Sequence, residues 1–151
     1  MMLKSAGALS ASVGLLHLVI IFIGAPAYRY FGAGERMARM DERGSWAPAV
    51  ITLGLATVFA LWSAYAFSGA GVGRRLPLLR TSMILIGSVY TLRGLLLGPQ
   101  LVWFFSGYRT AVPPRQLVFS SVSLLIGLSY LIGVSAAWAF LRPPPPFSRG
   151  A

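Results

Sequence analysis

Long runs of apolar residues, separated by short polar or proline-containing stretches, follow one another along this chain. A helix that crosses a membrane needs about 20 mostly apolar residues. Four stretches meet that requirement, at residues 5–25, 47–67, 77–98 and 117–141. Proline lies at or near each junction, as expected of a residue that begins helices readily and interrupts them. The pattern predicts an all-α integral membrane four-helix bundle over residues 1–142, followed by a proline-rich basic tail at 143–151.

The first loop, residues 28–46, holds every acidic residue of the chain. Glu35 stands four residues before Arg39, the spacing at which opposite charges pair on one helix face. Met37 and Met40 give the same segment an apolar edge. The segment is therefore expected to form a short helix at the membrane surface, with a plain solvated connector as the alternative.

The two halves of the chain match each other at an offset of 73 residues, with 11 identities over the 54 positions between Gly14 and Phe67. A duplication would make two tandem hairpins related by a pseudo-twofold axis along the membrane normal. Chance matching of two apolar hairpins is the alternative. The halves diverge where Ile20 aligns with Arg93 and His17 with Tyr90.

Composition narrows the class of protein further. Of the 151 residues, 56% are hydrophobic and only 11% are charged, whereas about 25% of a soluble domain is charged. This excludes an ordinary soluble domain and a disordered chain. Thirteen basic residues face three acidic ones, and a membrane surface explains that excess better than nucleic acid does. Cysteine is absent, which excludes disulfides and thiolate chemistry.

The distribution of basic residues decides the orientation only weakly. Placing the N-terminus in the cytoplasm leaves six Lys and Arg on each side of the membrane. The Arg74-Arg75 pair and the basic tail favour both termini in the cytoplasm. Arginine outnumbers lysine twelve to one and alanine and glycine are abundant, which suggests a bacterial inner membrane.

Arg93 is the strongest candidate for a ligand-binding residue. Only twelve residues separate it from Arg80, too few to carry both charges out of the bilayer. An arginine within a span is expected to face protein and to find a partner. No acidic residue follows Glu42. The partner is therefore expected to be an acid of the first loop, Glu35 above all, a backbone carbonyl or a carboxylate of another chain. The alternative is an anionic lipid head group, fatty acid or small substrate.

Three further polar side chains lie within the predicted spans. Tyr90 stands one turn before Arg93 and is expected either to share an anion with it or to make a hydrogen bond between helices. Tyr130 lies on the polar stripe of the last span. His17, the single histidine, is expected to make an interhelical hydrogen bond, with a proton relay as the alternative. No metal site or cofactor is expected from these residues.

Small residues mark the faces on which the predicted helices pack. They recur at helical spacing at Ala56, Ala60 and Ala64, at Gly87, Thr91, Gly94 and Gly98, and at Gln116, Ser120, Ser123, Gly127 and Tyr130. Such residues let two backbones approach closely. The neighbouring helix can belong to the same chain, to a second copy or to a larger membrane complex.

Three segments of the chain carry one resemblance to known proteins. They are the run Gly24-Ala25-Pro26-Ala27-Tyr28-Arg29-Tyr30-Phe31-Gly32-Ala33-Gly34-Glu35, the turn Ser68-Gly69-Ala70-Gly71 with Leu76-Pro77-Leu78-Leu79-Arg80, and Leu92-Arg93-Gly94. Together they resemble a group of small four-span bacterial inner-membrane proteins of unknown activity. The resemblance implies location and span count, and no chemistry.

A second, looser resemblance would imply an enzyme. Glu35-Arg36 and Pro48 resemble the Glu-Arg pair and the proline of glutathione-using four-span membrane enzymes. The asparagine and second glutamate of that family have no counterpart at matching spacing, which puts its thiol-activating site in doubt.

The function expected from the sequence is that of a non-catalytic membrane component, or a binder of an anionic lipid or amphiphile. A small transporter or channel is the alternative. An enzyme is less favoured, because no nucleophile–base pair, metal cluster or phosphate-binding loop occurs.

Overall fold

The chain is all-helical in its computed structural model, which describes residues 1–107 and 113–141 and has no strand within them. This confirms the all-α class. The helices are α1 (Met2–Ile23), α2 (Ala25–Phe31), α3 (Glu35–Glu42), α4 (Ala47–Gly69), α5 (Leu79–Leu95), α6 (Leu97–Phe105) and α7 (Pro114–Ala136). Four stretches are long and apolar enough to cross a membrane: α1, α4, α5 together with α6, and α7. Arg109 and the expected tail lie outside the described residues.

Large apolar side chains remain uncovered along these four stretches. Phe22 is 90% exposed, Val50 64% and Leu125 62%. Surface of this kind is rare on soluble proteins and is ordinary where lipid chains cover it. The chain is accordingly consistent with an integral membrane protein.

The first predicted span ends close to the expected place, but the chain then starts a second helix. Gly24 takes a positive φ of 76°, a conformation that glycine adopts without steric cost, and this ends α1 at Ile23. Pro26 then lies in the first turn of α2, where its missing N–H leaves no hydrogen bond unmade. The proline expected to close a span therefore opens a short helix. The expected loop helix is present as α3.

The third predicted span, residues 77–98, is shorter at its start and longer at its end in the structure. It runs from Leu79 to Phe105 and is interrupted at Leu96. Pro99 explains the interruption, because it has no N–H to donate to the carbonyl of Leu95 and its ring crowds that carbonyl. Arg93 consequently lies in the last turn of α5 and not in mid-helix.

The fourth predicted span, residues 117–141, is displaced toward the N-terminus. Pro114 lies in the first turn of α7, as expected of a residue that favours helix starts, and the helix ends at Ala136. Residues 137–141 continue as turns.

The chain divides into two compact units. The N-terminal unit comprises residues 5–64, and the C-terminal unit comprises, among the described residues, 1–4, 65–107 and 113–141. In the N-terminal unit α1 and α4 pack closely, since a Cβ atom on Gly14 would lie 3.4 Å from the carbonyl oxygen of Ala56. The hydroxyl of Ser63 donates a hydrogen bond of 2.8 Å to the carbonyl of Gly7 in the same unit.

The C-terminal unit is built on an antiparallel pairing of α5 with α7. A Cβ atom on Gly94 would lie 2.5 Å from Cα of Leu124, and one on Gly127 would lie 2.6 Å from the backbone nitrogen of Thr91. The expected packing role of these glycines is confirmed, whereas Gly98 has open space around it. The backbones of α5 and α7 are thus close enough for short side chains to meet.

Candidate functional site

Close packing of α5 on α7 places Arg93 within reach of Ser120. The guanidinium Nη1 of Arg93 donates a hydrogen bond of 3.4 Å to Oγ of Ser120. That hydroxyl in turn donates a bond of 2.8 Å to Oε1 of Gln100, on α6. Ser120 is fully buried and Gln100 is half-buried, so the buried hydroxyl lies at the middle of the chain of hydrogen bonds. Arg93 itself is exposed, whereas it was expected to face protein. We call these three residues the Arg93 site.

The guanidinium of Arg93 has more hydrogen-bond donors than its contact with Ser120 uses. A charge-assisted hydrogen bond is usually about 2.7–2.9 Å long, and the 3.4 Å contact with Ser120 is well beyond that. A guanidinium carries five N–H donors, and among the described residues Ser120 is the one recorded acceptor. The remaining donors can hold an oxyanion.

All the charged side chains in the unit that contains Arg93 are basic. The acids of the chain are Glu35, Asp41 and Glu42, and all three belong to the N-terminal unit. The C-terminal unit therefore contains arginines and one lysine but no acidic side chain. A cation within an apolar span is costly without a partner, so an anionic ligand would stabilise Arg93.

Glu35, the expected protein partner of Arg93, is engaged by other arginines. Its Oε2 accepts a bond of 2.8 Å from Nε of Arg29 and its Oε1 a bond of 3.1 Å from Nε of Arg39. Arg29 also donates from Nη1 to Glu42 at 2.7 Å. The bond between Glu35 and Arg39 is the one that their four-residue spacing predicts.

These ion pairs shift the pKa values of the groups outside the spans. The hydrogen bonds from Arg29 and then Arg39 lower the pKa of Glu35 to about 2. The hydrogen bond from Arg29 lowers the pKa of Glu42 as well. The same bonds to Glu35 and Glu42 raise the pKa of Arg29. Arg29 and Arg39 thus favour the ionised form of Glu35, and Arg29 favours that of Glu42.

Tyr90 and Tyr130 form part of the packing between α5 and α7. Their rings stack at a centroid distance of 6.0 Å and an interplanar angle of 18°. Tyr90 is 5% exposed and Tyr130 is fully buried. Tyr90 lies on α5 one turn before Arg93, and Tyr130 lies on α7, so the two rings join the helices.

His17 lies in the N-terminal unit and makes its hydrogen bond within its own helix. Its Nδ1 lies 2.8 Å from the carbonyl oxygen of Val13, and a carbonyl can only accept, so Nδ1 carries the proton. Across the helix pair the contact is between rings, with Phe59 at a centroid distance of 4.9 Å. The expected interhelical hydrogen bond is therefore replaced by an intrahelical bond and an aromatic contact.

Gln100 is the member of the site that sequence reasoning missed. Its signal was its position: it is a polar amide in the apolar run that follows Arg93, two turns further along the same span. Among the described residues no group of three or more His, Asp or Glu side chains is arranged to hold a metal ion.

Comparison with known proteins does not indicate a function for the chain. No protein-family model, curated protein or solved structure matches the chain significantly.

Proposed function

We propose that the chain is a non-catalytic integral membrane protein whose C-terminal unit binds an anionic lipid or amphiphile at the Arg93 site. One observation carries the proposal: the described hydrogen bond of Arg93 goes to a neutral hydroxyl, in a unit that has no acidic side chain. An arginine at the centre of a span costs about 2.5–3.5 kcal/mol on insertion scales. A bound anion would offset that cost.

The chemistry of the site favours a carboxylate or phosphate head group. The planar guanidinium matches the spacing of two oxygens in either group and holds them through two parallel hydrogen bonds. Leu92, 65% exposed, and Leu96, 48% exposed, flank Arg93 along the same span. They offer apolar surface to an acyl chain, which is why an amphiphile is favoured over a free inorganic anion.

The first hairpin has apolar residues in place of Arg93, Gln100 and Ser120. This supports a functional role for the three polar residues in the second hairpin. At the offset of 73 residues, Ile20 stands for Arg93, Ala27 for Gln100 and Ala47 for Ser120. Ile20 and Ala27 are buried in an apolar cluster of the N-terminal unit. A helical hairpin of this pattern therefore does not require the polar trio for its packing.

We also propose that the two hairpins arose by duplication. A Cβ atom on Gly14 would contact Ala56 and Phe59 of α4. A Cβ atom on Gly87, the counterpart of Gly14, would contact Tyr130 and Leu131 of α7, which align with residues 57 and 58. The first long helix of each hairpin ends at corresponding places, Ile23 and Leu95, within one residue at this offset. An experimental structure should superpose the hairpins at an offset of 73, and a best offset more than about four residues away would contradict duplication.

The setting that we propose follows from the sequence. Both termini lie in the cytoplasm and the membrane is a bacterial inner membrane, where anionic phospholipids are available. The exposed apolar faces leave room for a second copy or a larger membrane complex. Attaching a reporter enzyme to either terminus tests the orientation.

The test of the binding proposal is native mass spectrometry of the chain purified in a mild neutral detergent. The informative variant copies the first hairpin: Arg93→Ile, Gln100→Ala and Ser120→Ala together. We expect wild type to retain a phosphatidylglycerol or a fatty acid, and the triple variant to fold without it. Arg36→Gln, in the first loop, is the matched control and should keep the ligand.

The mass of the retained molecule identifies which of the possible ligands is bound. If the chain neither retains nor takes up any of them, the proposal is contradicted. Phosphatidylglycerol added back points to a phosphate head group, and dodecanoate added back points to a carboxylate. A wild-type chain that emerges bare and takes up neither would contradict the proposal and would favour a small transporter or channel.

A further inference from the structure

The opposite end of the α5–α7 pair carries a second group of cations, placed on aromatic rings. The guanidinium carbon of Arg75 lies 4.7 Å from the centroid of the Phe140 ring, and that of Arg80 lies 3.7 Å from the Trp138 ring. Arg75 also donates to the carbonyl of Phe140, and Arg80 donates to the carbonyl of Trp138 at 2.9 Å. Each arginine is thus fixed by a ring and a carbonyl of the segment that follows α7.

Both arginines are held in place by neutral partners. The C-terminal unit supplies no acidic side chain, and cation–π contacts leave the charge of a guanidinium intact. An oxyanion near these arginines would balance that charge.

A cavity of about 320 Å³ opens beside these residues, entirely within the C-terminal unit. Its lining is mostly apolar and small: Met1, Met2, Leu3, Gly69, Ala70, Gly133, Ala136 and Ala137, with Lys4 and Phe140. Lys4 contributes a cation, and Phe140 is the ring on which Arg75 stacks. The cavity therefore combines an apolar wall with one cationic side chain in its lining, Lys4, and a second cation, Arg75, that lies over the lining residue Phe140.

The position of Lys4 is set by close packing. A Cβ atom on Gly133 would lie 2.6 Å from Cδ2 of Leu3, and one on Gly69 would lie 3.4 Å from Cδ1 of the same leucine. Leu3 is 5% exposed, so it is held between α4 and α7. The backbone of the neighbouring Lys4 is consequently placed at the cavity, where its exposed side chain contributes to the lining.

We propose that this cavity is a binding site for one anionic phospholipid of the surrounding leaflet. Its phosphate lies between Lys4 and Arg75, and the first part of an acyl chain lies along the wall formed by the glycines and alanines. Three features favour a phospholipid over a free anion. The wall is apolar, the aromatic rings are of the kind found at the depth of lipid head groups, and the unit of these cations has no acidic side chain.

This second site is independent of the Arg93 site. The two lie at opposite ends of α5, with Arg80 in the first turns and Arg93 in the last turn. Substitutions that remove one site leave the residues of the other site unchanged. Either proposal can therefore be contradicted without the other.

Trp138 provides a local reporter for the test. A variant with Trp46→Phe, Trp62→Phe and Trp103→Phe leaves Trp138 as the single tryptophan. The full-length chain is reconstituted in phosphatidylcholine vesicles that contain increasing fractions of phosphatidylglycerol brominated in its acyl chains. Bromine quenches tryptophan fluorescence on contact, so quenching measures how often the lipid occupies the site. Brominated phosphatidylcholine is the reference.

We expect brominated phosphatidylglycerol to quench Trp138 at several-fold lower mole fraction than brominated phosphatidylcholine. Lys4→Gln and Arg75→Gln should each reduce that preference by about fivefold, the usual effect of one cation on anionic-lipid binding. Arg75→Lys should keep most of the preference, and this conservative variant separates charge from packing. Arg36→Gln, in the first loop, should leave the preference unchanged.

Arg74→Gln is the control that decides between a built site and general surface charge. Arg74 lies beside Arg75 in the chain and is equally basic, but its recorded contact is the hydrogen bond that its carbonyl accepts from Ser68. We expect less than a twofold change for Arg74→Gln. Equal losses for Arg74→Gln and Arg75→Gln, or equal quenching by the two brominated lipids in wild type, would overturn the proposal.

Discussion

The carboxylate of Asp41 accepts a hydrogen bond of 2.8 Å from the amide nitrogen of Ala25, sixteen residues earlier in the chain. This bond ties the start of α2 to α3. It satisfies one of the N–H groups that the first turn of a helix leaves unpaired, and it places a negative charge where the helix dipole favours it. Gly24 makes room for it, since a Cβ atom there would lie 2.6 Å from the carboxylate oxygen.

Replacing Asp41 should loosen α2 locally. Asp41→Ala removes a cap of a kind that stabilises by about 1 kcal/mol, so the amides of residues 25–31 should exchange about fivefold faster. Hydrogen exchange followed by mass spectrometry measures this. Asp41→Asn keeps an acceptor oxygen and should exchange at an intermediate rate. Unchanged exchange in Asp41→Ala would show that the bond does not hold α2.

Acidification should weaken the contact between α2 and α3 in a defined pH range. The pKa of Glu35 is lowered in the folded chain from 4.5 to about 2 by Arg29 and Arg39. A lowered pKa means that the stabilisation is complete above 4.5 and is lost as the pH falls toward about 2. Amide exchange in α3, corrected for its intrinsic pH dependence, should therefore accelerate over this range. In Glu35→Gln the acceleration should be much smaller, and an equal acceleration would contradict the assignment.

The glycines between α5 and α7 should not tolerate a methyl group. In Gly127→Ala the new Cβ would lie 2.4 Å from Oγ1 of Thr91 and 2.6 Å from its backbone nitrogen, so the backbones must separate. Overpacking of this kind costs about 1–3 kcal/mol. Thermal unfolding in detergent should show a clear decrease in the melting temperature.

Gly54 is the matched control for Gly127, because it occupies the corresponding position of the first hairpin and has open space around it. Gly54→Ala should be neutral or slightly stabilising, since alanine is the better helix former. Equal destabilisation by the two substitutions would mean that general effects of glycine replacement dominate over the contact with Thr91.

Sequence periodicity was enough to predict the helices that depend on local properties. The four long apolar stretches and the Glu35–Arg39 pairing follow from length, hydrophobicity and four-residue spacing, and the structure contains both. The short helix α2 was not predicted, since its start depends on Asp41, which lies far along the chain. A proline read alone does not reveal whether it ends one helix or begins the next.

The candidate site was predictable only in part for the same physical reason. Arg93 stood out because a charge within an apolar run is costly wherever it lies. Its partner Ser120 and the third member, Gln100, became evident only when the glycine contacts fixed the register of α5 against α7. Register between helices is set by the fit of side chains over the whole interface, which no local pattern records.

The central claim, anion binding at Arg93, is tested most directly by titrating the chain in neutral detergent with short-chain phosphatidylglycerol while following thermal unfolding. The starting protein should carry Lys4→Gln and Arg75→Gln, which remove the second lipid site. A ligand that binds the folded state raises its stability by about 2.7 kcal/mol at one hundred times its dissociation constant. We predict a rise in melting temperature with phosphatidylglycerol, little rise with phosphatidylcholine, and no selective rise once Arg93→Gln is added. A lipid-dependent rise of the same size with and without Arg93→Gln would contradict the account.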